Sequence, residues 1–138
     1  MTQSEKTYNV LLIEDNPDHI ELISAELMNS NKINKLFISY NGEEALNFLF
    51  RPEKMKKKKL EVLDFILLDL KMPKVDGFEV LKKVKMHPQF NQIPVIILST
   101  STSSEDMDRA KSIGAQGYII KKFGSMQLFE EIDKIFYP

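Results

Sequence analysis

Five short apolar runs alternate with five amphipathic ones along this 138-residue chain. That alternation leaves little freedom in the fold. A chain that returns to a strand after every helix builds a parallel sheet. Right-handed crossovers then lay helices on both of its faces. The first run, Val10-Leu11-Leu12-Ile13, ends in Glu14-Asp15, and Asn16-Pro17 opens a helix. Ile20, Ile23 and Leu27 share the inward side of that helix. Leu36 to Tyr40 reads as the second strand, and Asn41-Gly42 breaks it. A helix over Glu43 to Phe50 then buries Ala45, Leu46 and Leu49.

The third run is Phe65-Ile66-Leu67-Leu68, and it runs straight into Asp69. Asp76 caps the helix that follows, which carries Val80, Leu81 and Val84 inward and stops at His87-Pro88. Pro94 to Leu98 is apolar without interruption after its proline, as expected of a strand buried on both faces. A hydroxyl-rich loop, Ser99 to Ser104, leads into a helix with Met107, Ala110 and Ile113 inward and Gly114 at its end. Ser103 or Ser104 is its cap. Gly117 to Ile120 is the fifth strand. The last helix, Ser125 to Phe136, buries Leu128, Ile132 and Ile135.

One segment is irregular. Arg51 to Glu61 carries Pro52 and four consecutive lysines, Lys56 to Lys59. It is long for a connection of this kind. It reads as a solvated loop held open by like charges, with a docking patch for an acidic partner or nucleic acid as the sharper alternative.

Chemistry collects where the strands end, the edge at which open α/β sheets bind ligands. There the first strand offers Glu14 and Asp15, the third Asp69, the fourth Ser99 and the fifth Lys121. If the first and third strands are neighbours, their carboxylates cannot all stay ionised unaided. With no His or Cys beside them, a hard cation held by oxygen is the natural remedy, and Mg²⁺ suits two or three oxygens plus waters. Metal, ammonium and hydroxyl together form a receptacle for a phosphoryl group, with Asp69 able to accept it covalently. Asp64, at the opposite end of its strand, is expected to be plain surface. Met72 and Phe78 read as packing residues. His19 and His87 read as isolated on helix surfaces, with no ligand role.

Other classes fit less well. The chain has 19 basic and 20 acidic residues, a net charge of −1, which argues against a dedicated nucleic-acid binder. It has no cysteine, so disulfides and thiolate metal sites are excluded. No apolar run approaches the roughly 18 residues of a membrane span. The polar N-terminus is no signal peptide. A cytoplasmic protein is expected. A flavodoxin would need a hydroxyl-rich phosphate loop where Glu14-Asp15 stands. A haloacid-dehalogenase-type phosphatase would need a second aspartate where Lys71 stands. No glycine-rich nucleotide loop is present.

Four motifs in order resemble the receiver domain of two-component response regulators. They are Leu-Leu-Ile-Glu14-Asp15-Asn-Pro, Ile-Leu-Leu-Asp69-Leu-Lys-Met-Pro73-Lys-Val-Asp76-Gly77, Pro94-Val-Ile-Ile-Leu-Ser99 and Gly117-Tyr118-Ile-Ile-Lys121. The resemblance implies a flavodoxin-like (βα)5 doubly wound parallel sheet in the order 2-1-3-4-5. It implies one receiver domain over residues 1–138, with a core of about residues 8–136 and no effector domain. Asp69 would accept a phosphoryl group from a sensor histidine kinase or a His phosphotransfer domain. Asp15, Asp69 and the backbone carbonyl of Lys71 would hold Mg²⁺, with Glu14 acting through water. Ser99 and Lys121 would contact the phosphoryl oxygens. Tyr118 would be the switch aromatic that turns inward with Ser99. The fourth helix, fifth strand and fifth helix would form the readout face and a possible homodimer surface. No nucleic-acid or membrane partner is implied, and the downstream protein target stays open.

Two positions depart from the resemblance. Lys122 stands where that family usually has proline after its lysine, so a trans Lys121–Lys122 peptide is expected, or a strained site if it is cis, and either would move Lys121 or the start of the last helix. Thr100 is bulkier than the small residue common there and would slow water's access to an acyl phosphate. Lys122 also keeps alive a second reading, a receiver-shaped binding module that is never phosphorylated. A narrower likeness, in Asn47-Phe-Leu-Phe-Arg51, the loop after it and Leu98-Ser-Thr-Ser-Thr102, is to regulators paired with phytochrome-type sensor kinases.

Overall fold

In the computed structural model, residues 6–50, 63–124 and 127–138 are described. The loop expected over Arg51 to Glu61, with its lysine run, lies outside them, as do Ser125 and Met126. The strands are β1 (Tyr8–Ile13), β2 (Ile33–Ser39), β3 (Phe65–Leu68), β4 (Val95–Ser99) and β5 (Gly117–Ile120). The helices are α1 (Pro17–Asn29), α2 (Gly42–Leu49), α3 (Gly77–Met86), α4 (Ser104–Ile113) and α5 (Leu128–Phe136). The strands form one parallel sheet in the order β2-β1-β3-β4-β5, the expected architecture.

Side chains alternate across a strand, so each central strand feeds two cores. Leu11, Ile13, Ile66, Leu68, Val95 and Ile97 pack on the face covered by α2, α3 and α4. Val10, Leu12, Phe65, Leu67, Ile96 and Leu98 pack on the face covered by α1 and α5. All of β3 and β4 is buried, which explains their continuous apolar sequence.

Helix starts follow their caps. The side chains of Asn16, Asn41, Asp76 and Ser103 each accept backbone N–H groups of the turn they open. At α5 the expectation is corrected. The helix begins at Leu128, three residues later than expected, and Gln127 gives it no side-chain cap. Instead Glu26 of α1 accepts the Leu128 N–H at 3.3 Å, so a neighbouring helix supplies the missing acceptor. Replacing Glu26 by alanine should destabilise the protein by about 1 kcal/mol in urea unfolding, with glutamine costing less because it keeps an acceptor. β2 also starts earlier than expected, at Ile33, and ends at Ser39 rather than Tyr40. It is an edge strand, so exposed Asn34 and Lys35 interrupt its apolar pattern without ending its pairing with β1.

Asp64 is a second correction. Its carboxylate accepts the Asn9 N–H at 2.8 Å, and its own N–H donates to the Asn9 carbonyl. It is half-buried and pins β3 to β1, so it is no plain surface residue. His87 is not isolated either, because its ring stacks on Phe50 and packs against Phe90.

Candidate functional site

Strand register sets the site. Ile13 pairs with Leu68, and Leu68 with Ile97, so the residues just past β1 and β3 emerge side by side. The Asp69 N–H donates to the Ile13 carbonyl at 3.0 Å and locks that register one residue further. Ser99 pairs with Ile120, and the Lys121 N–H donates to the Ser99 carbonyl at 2.8 Å. The start of α3 closes in from behind. A Cβ on Gly77 would meet the Asp69 carbonyl oxygen at 2.3 Å, so only glycine lets the helix seat this close.

Glu14, Asp15 and Asp69 thereby each bring one carboxylate oxygen within 4.8 Å of the others. Glu14 and Asp69 are buried, and Asp15 is half-buried. Lys121 reaches in from β5, with Nζ 2.7 Å from Glu14 Oε1 and 3.6 Å from Asp69 Oδ1. Burial pushes the Asp69 carboxyl up from 3.8 to about 6, opposed by the Lys121 charge and reinforced by Glu14 and Asp15. A hydrogen bond from the Lys71 backbone works in the lowering direction. Among the described residues, the one ammonium of Lys121 thus leaves the acidic cluster under-neutralised. Its donors are oxygens only, which fits a small hard divalent cation and not a soft one.

Ser99 is fully buried, and its Oγ accepts the Ser101 N–H at 3.1 Å. Tyr118 is half-buried and donates its hydroxyl to the Ser101 carbonyl at 3.0 Å. Ser101 Oγ in turn donates to Asp106 of α4 at 2.7 Å, and Lys71 Nζ stands 4.0 Å from the same carboxylate oxygen. Ser101 therefore touches the residues that lead to Ser99, to Tyr118 and to α4. In the sequence it was one hydroxyl among several, and only the turn geometry singles it out. The Lys121–Lys122 peptide is trans, as expected.

Contrary to the expectation from sequence, His19 is not isolated on a helix surface. Its Nδ1 lies 3.0 Å from Lys121 Nζ and 3.7 Å from Glu14 Oε2, and its ring packs on Phe123. It sits in the first turn of α1, which starts at the same sheet edge as the acids. The Asn16-Pro17 start signal was enough to place it there.

A doubly wound parallel sheet with an acid pair, a central aspartate and a lysine on one carboxyl edge defines a receiver-type signalling domain. The chain belongs to that family: the model of the response regulator receiver domain matches residues 10–133. It is 34% identical over 133 residues to the probable methanogenesis regulatory protein FilR2 of Methanothrix harundinacea, covering 96% of this chain and 84% of that protein. It is 32% identical over 126 residues to the response regulator Rcp1 of Synechocystis, covering 91% and 84%. Among solved structures, the phosphorylated cyanobacterial phytochrome response regulator RcpA superposes with a TM-score of 0.79 at 34% identity, covering 94% of this chain and 91% of that one. The Mn²⁺-bound form of Rcp1 gives 0.77 at 30% identity, covering 93% and 91%. The likeness to phytochrome-associated regulators read from the sequence agrees with the similarity to RcpA. Receiver domains are phosphoacceptors that interact with histidine kinases or phosphotransfer proteins, and they bind Mg²⁺ or Mn²⁺ at an acidic pocket. Among the described residues, no helix is long and apolar enough to cross a membrane.

Proposed function

We propose that Asp69 is the phosphoacceptor of a Mg²⁺-dependent switch, served by a sensor histidine kinase or a His phosphotransfer protein in the cytoplasm. The observation that carries this reading is the convergence of Glu14, Asp15 and Lys121 on Asp69. An Asp69 carboxylate oxygen attacks the phosphorus of a phosphohistidine. The P–N bond breaks, and its electron pair returns to the imidazole. Asp15, Asp69 and the Lys71 carbonyl would hold Mg²⁺, with Glu14 through water, and the ion would offset charge on the incoming phosphoryl oxygens. Lys121 donates to one phosphoryl oxygen and Ser99 to another. These two contacts to phosphoryl oxygens exist only in the phosphorylated state, and that difference is what shifts a two-state equilibrium.

Ser99 moving toward the phosphoryl group would pull on Ser101, and through it on Tyr118 and the first turn of α4. The readout face is then α4, β5 and α5, open to a downstream protein or to a second copy of the chain. Residues 8–136 act as one receiver unit. The rival reading, a module that is never phosphorylated, rested on Lys122. Lys121 nonetheless reaches Asp69 across a trans peptide, which supports the phosphoacceptor reading.

Phosphotransfer profiling tests the donor. Radiolabelled histidine kinases of the phytochrome-associated type are expected to lose label to this protein within seconds to minutes, and not to Asp69→Asn. Equal transfer to both proteins would refute Asp69 as the acceptor.

A further inference from the structure

A lysine ammonium has three N–H donors and accepts nothing. Among the described residues, Lys121 Nζ has three neighbours at its tip: Glu14 Oε1 at 2.7 Å, His19 Nδ1 at 3.0 Å and Asp69 Oδ1 at 3.6 Å. The Lys121 side chain is 2% exposed, so these groups set its orientation. Because the ammonium only donates, His19 Nδ1 must accept. The contact is a hydrogen bond in the tautomer that carries its proton on Nε2.

His19 is held from two sides. Its backbone N–H donates to Asn16 Oδ1 at 3.2 Å in the first turn of α1. Its ring lies 4.7 Å from that of Phe123, two residues past Lys121 on the segment leaving β5. The imidazole thus bridges the start of α1 and the segment that carries Lys121. The residue directly after Lys121 is Lys122, exposed and on a trans peptide, so no proline ring restrains the backbone at that step.

We propose that His19 is a positioning residue for Lys121: with Glu14 it fixes two of the three N–H directions and leaves the third aimed at the phosphoryl site on Asp69. This rests on the phosphoacceptor reading and adds a residue to it. The 3.6 Å contact to Asp69 is the loose one of the three, so it is the one free to shorten onto a phosphoryl oxygen. Without the His19 acceptor the ammonium loses one of its two short contacts, and its third proton is no longer directed.

Two variants of the full chain separate positioning from packing. His19→Phe keeps a ring against Phe123 and removes the acceptor. His19→Asn keeps an oxygen near the Nδ1 position and removes the ring. The readout is the rate of phosphoryl uptake from acetyl phosphate in Mg²⁺, followed by intact mass, with thermal unfolding in parallel. His19→Phe should be slower by about tenfold, the scale of one charge-assisted hydrogen bond. His19→Asn should stay within about threefold of wild type. His19→Phe at the wild-type rate, or His19→Asn as slow as His19→Phe, would overturn the proposal. Wild type that takes up no phosphoryl group would instead refute Asp69 itself. A measurement on unmodified protein stands apart from folding of the variants. Long-range ¹⁵N–¹H NMR should find His19 Nδ1 bare and Nε2 protonated, and a proton on Nδ1 would overturn the proposal equally.

Discussion

Asp69→Asn should abolish phosphoryl uptake and at the same time make the metal-free protein more stable at neutral pH. The loss of uptake follows from chemistry, because an amide oxygen does not form a stable acyl phosphate under these conditions. The gain in stability follows from the charge balance. Folding raises the Asp69 carboxyl from 3.8 to about 6, mainly by burial, so the folded state resists its ionisation. Between those two values the folded protein binds more protons than the unfolded chain, and stability falls as pH rises through that window. Above about pH 6 the full penalty is present, and below about pH 4 it is gone. A rise of this size corresponds to about 3 kcal/mol as an upper bound. Urea unfolding in EDTA should therefore show Asp69→Asn more stable than wild type by about 2 kcal/mol at pH 7.5, with the gap closing toward pH 4. Adding Mg²⁺ should narrow the gap at pH 7.5, because the cation relieves the same repulsion. A pH-independent gap would show that Asp69 is not the group under strain.

Lys121→Met should do the opposite to stability and the same to function. Its ammonium and the Glu14 carboxylate are 2.7 Å apart, and each side chain is only 2% exposed. Removing the ammonium leaves a buried carboxylate without its partner, a loss that typically costs about 3–5 kcal/mol. It also removes the lowering influence on Asp69, so less of that residue is ionised at neutral pH. Uptake from acetyl phosphate should fall by at least about a hundredfold. Adding Glu14→Gln should recover most of the lost stability, since the orphaned charge is then gone. It should not recover uptake, because no ammonium faces the phosphoryl group. The double-mutant cycle thus divides the lysine's role in the fold from its role at the site. If the double variant took up phosphate at the wild-type rate, Lys121 would be structural only.

Much of this was legible in the chain because strand ends announce themselves. Apolar runs that stop at Glu14-Asp15, Asp69, Ser99 and Lys121 put those residues on one edge once the βα alternation is recognised. The order of the strands came from resemblance, since alternation alone permits several. What stayed hidden depends on contacts between elements. Nothing near Gln127 announces that Glu26, a hundred residues earlier, caps α5. Asn34 and Lys35 hid the start of β2, because an edge strand tolerates exposed polar residues that a central one does not. Ser101 looked interchangeable with its neighbours until its N–H, carbonyl and hydroxyl were seen to serve three different partners. His19 was missed for a different reason. A histidine on an amphipathic helix usually faces water, but one in the first turn of α1 stands over the site at the sheet edge.

The most direct test of the central claim is intact mass of the full chain after incubation with acetyl phosphate, with and without Mg²⁺, followed by borohydride trapping and peptide mapping. One phosphoryl group should appear only with Mg²⁺, with the reduced residue at position 69 and none in Asp69→Asn. No uptake in Mg²⁺, or a label elsewhere with Asp69 unmodified, would contradict it.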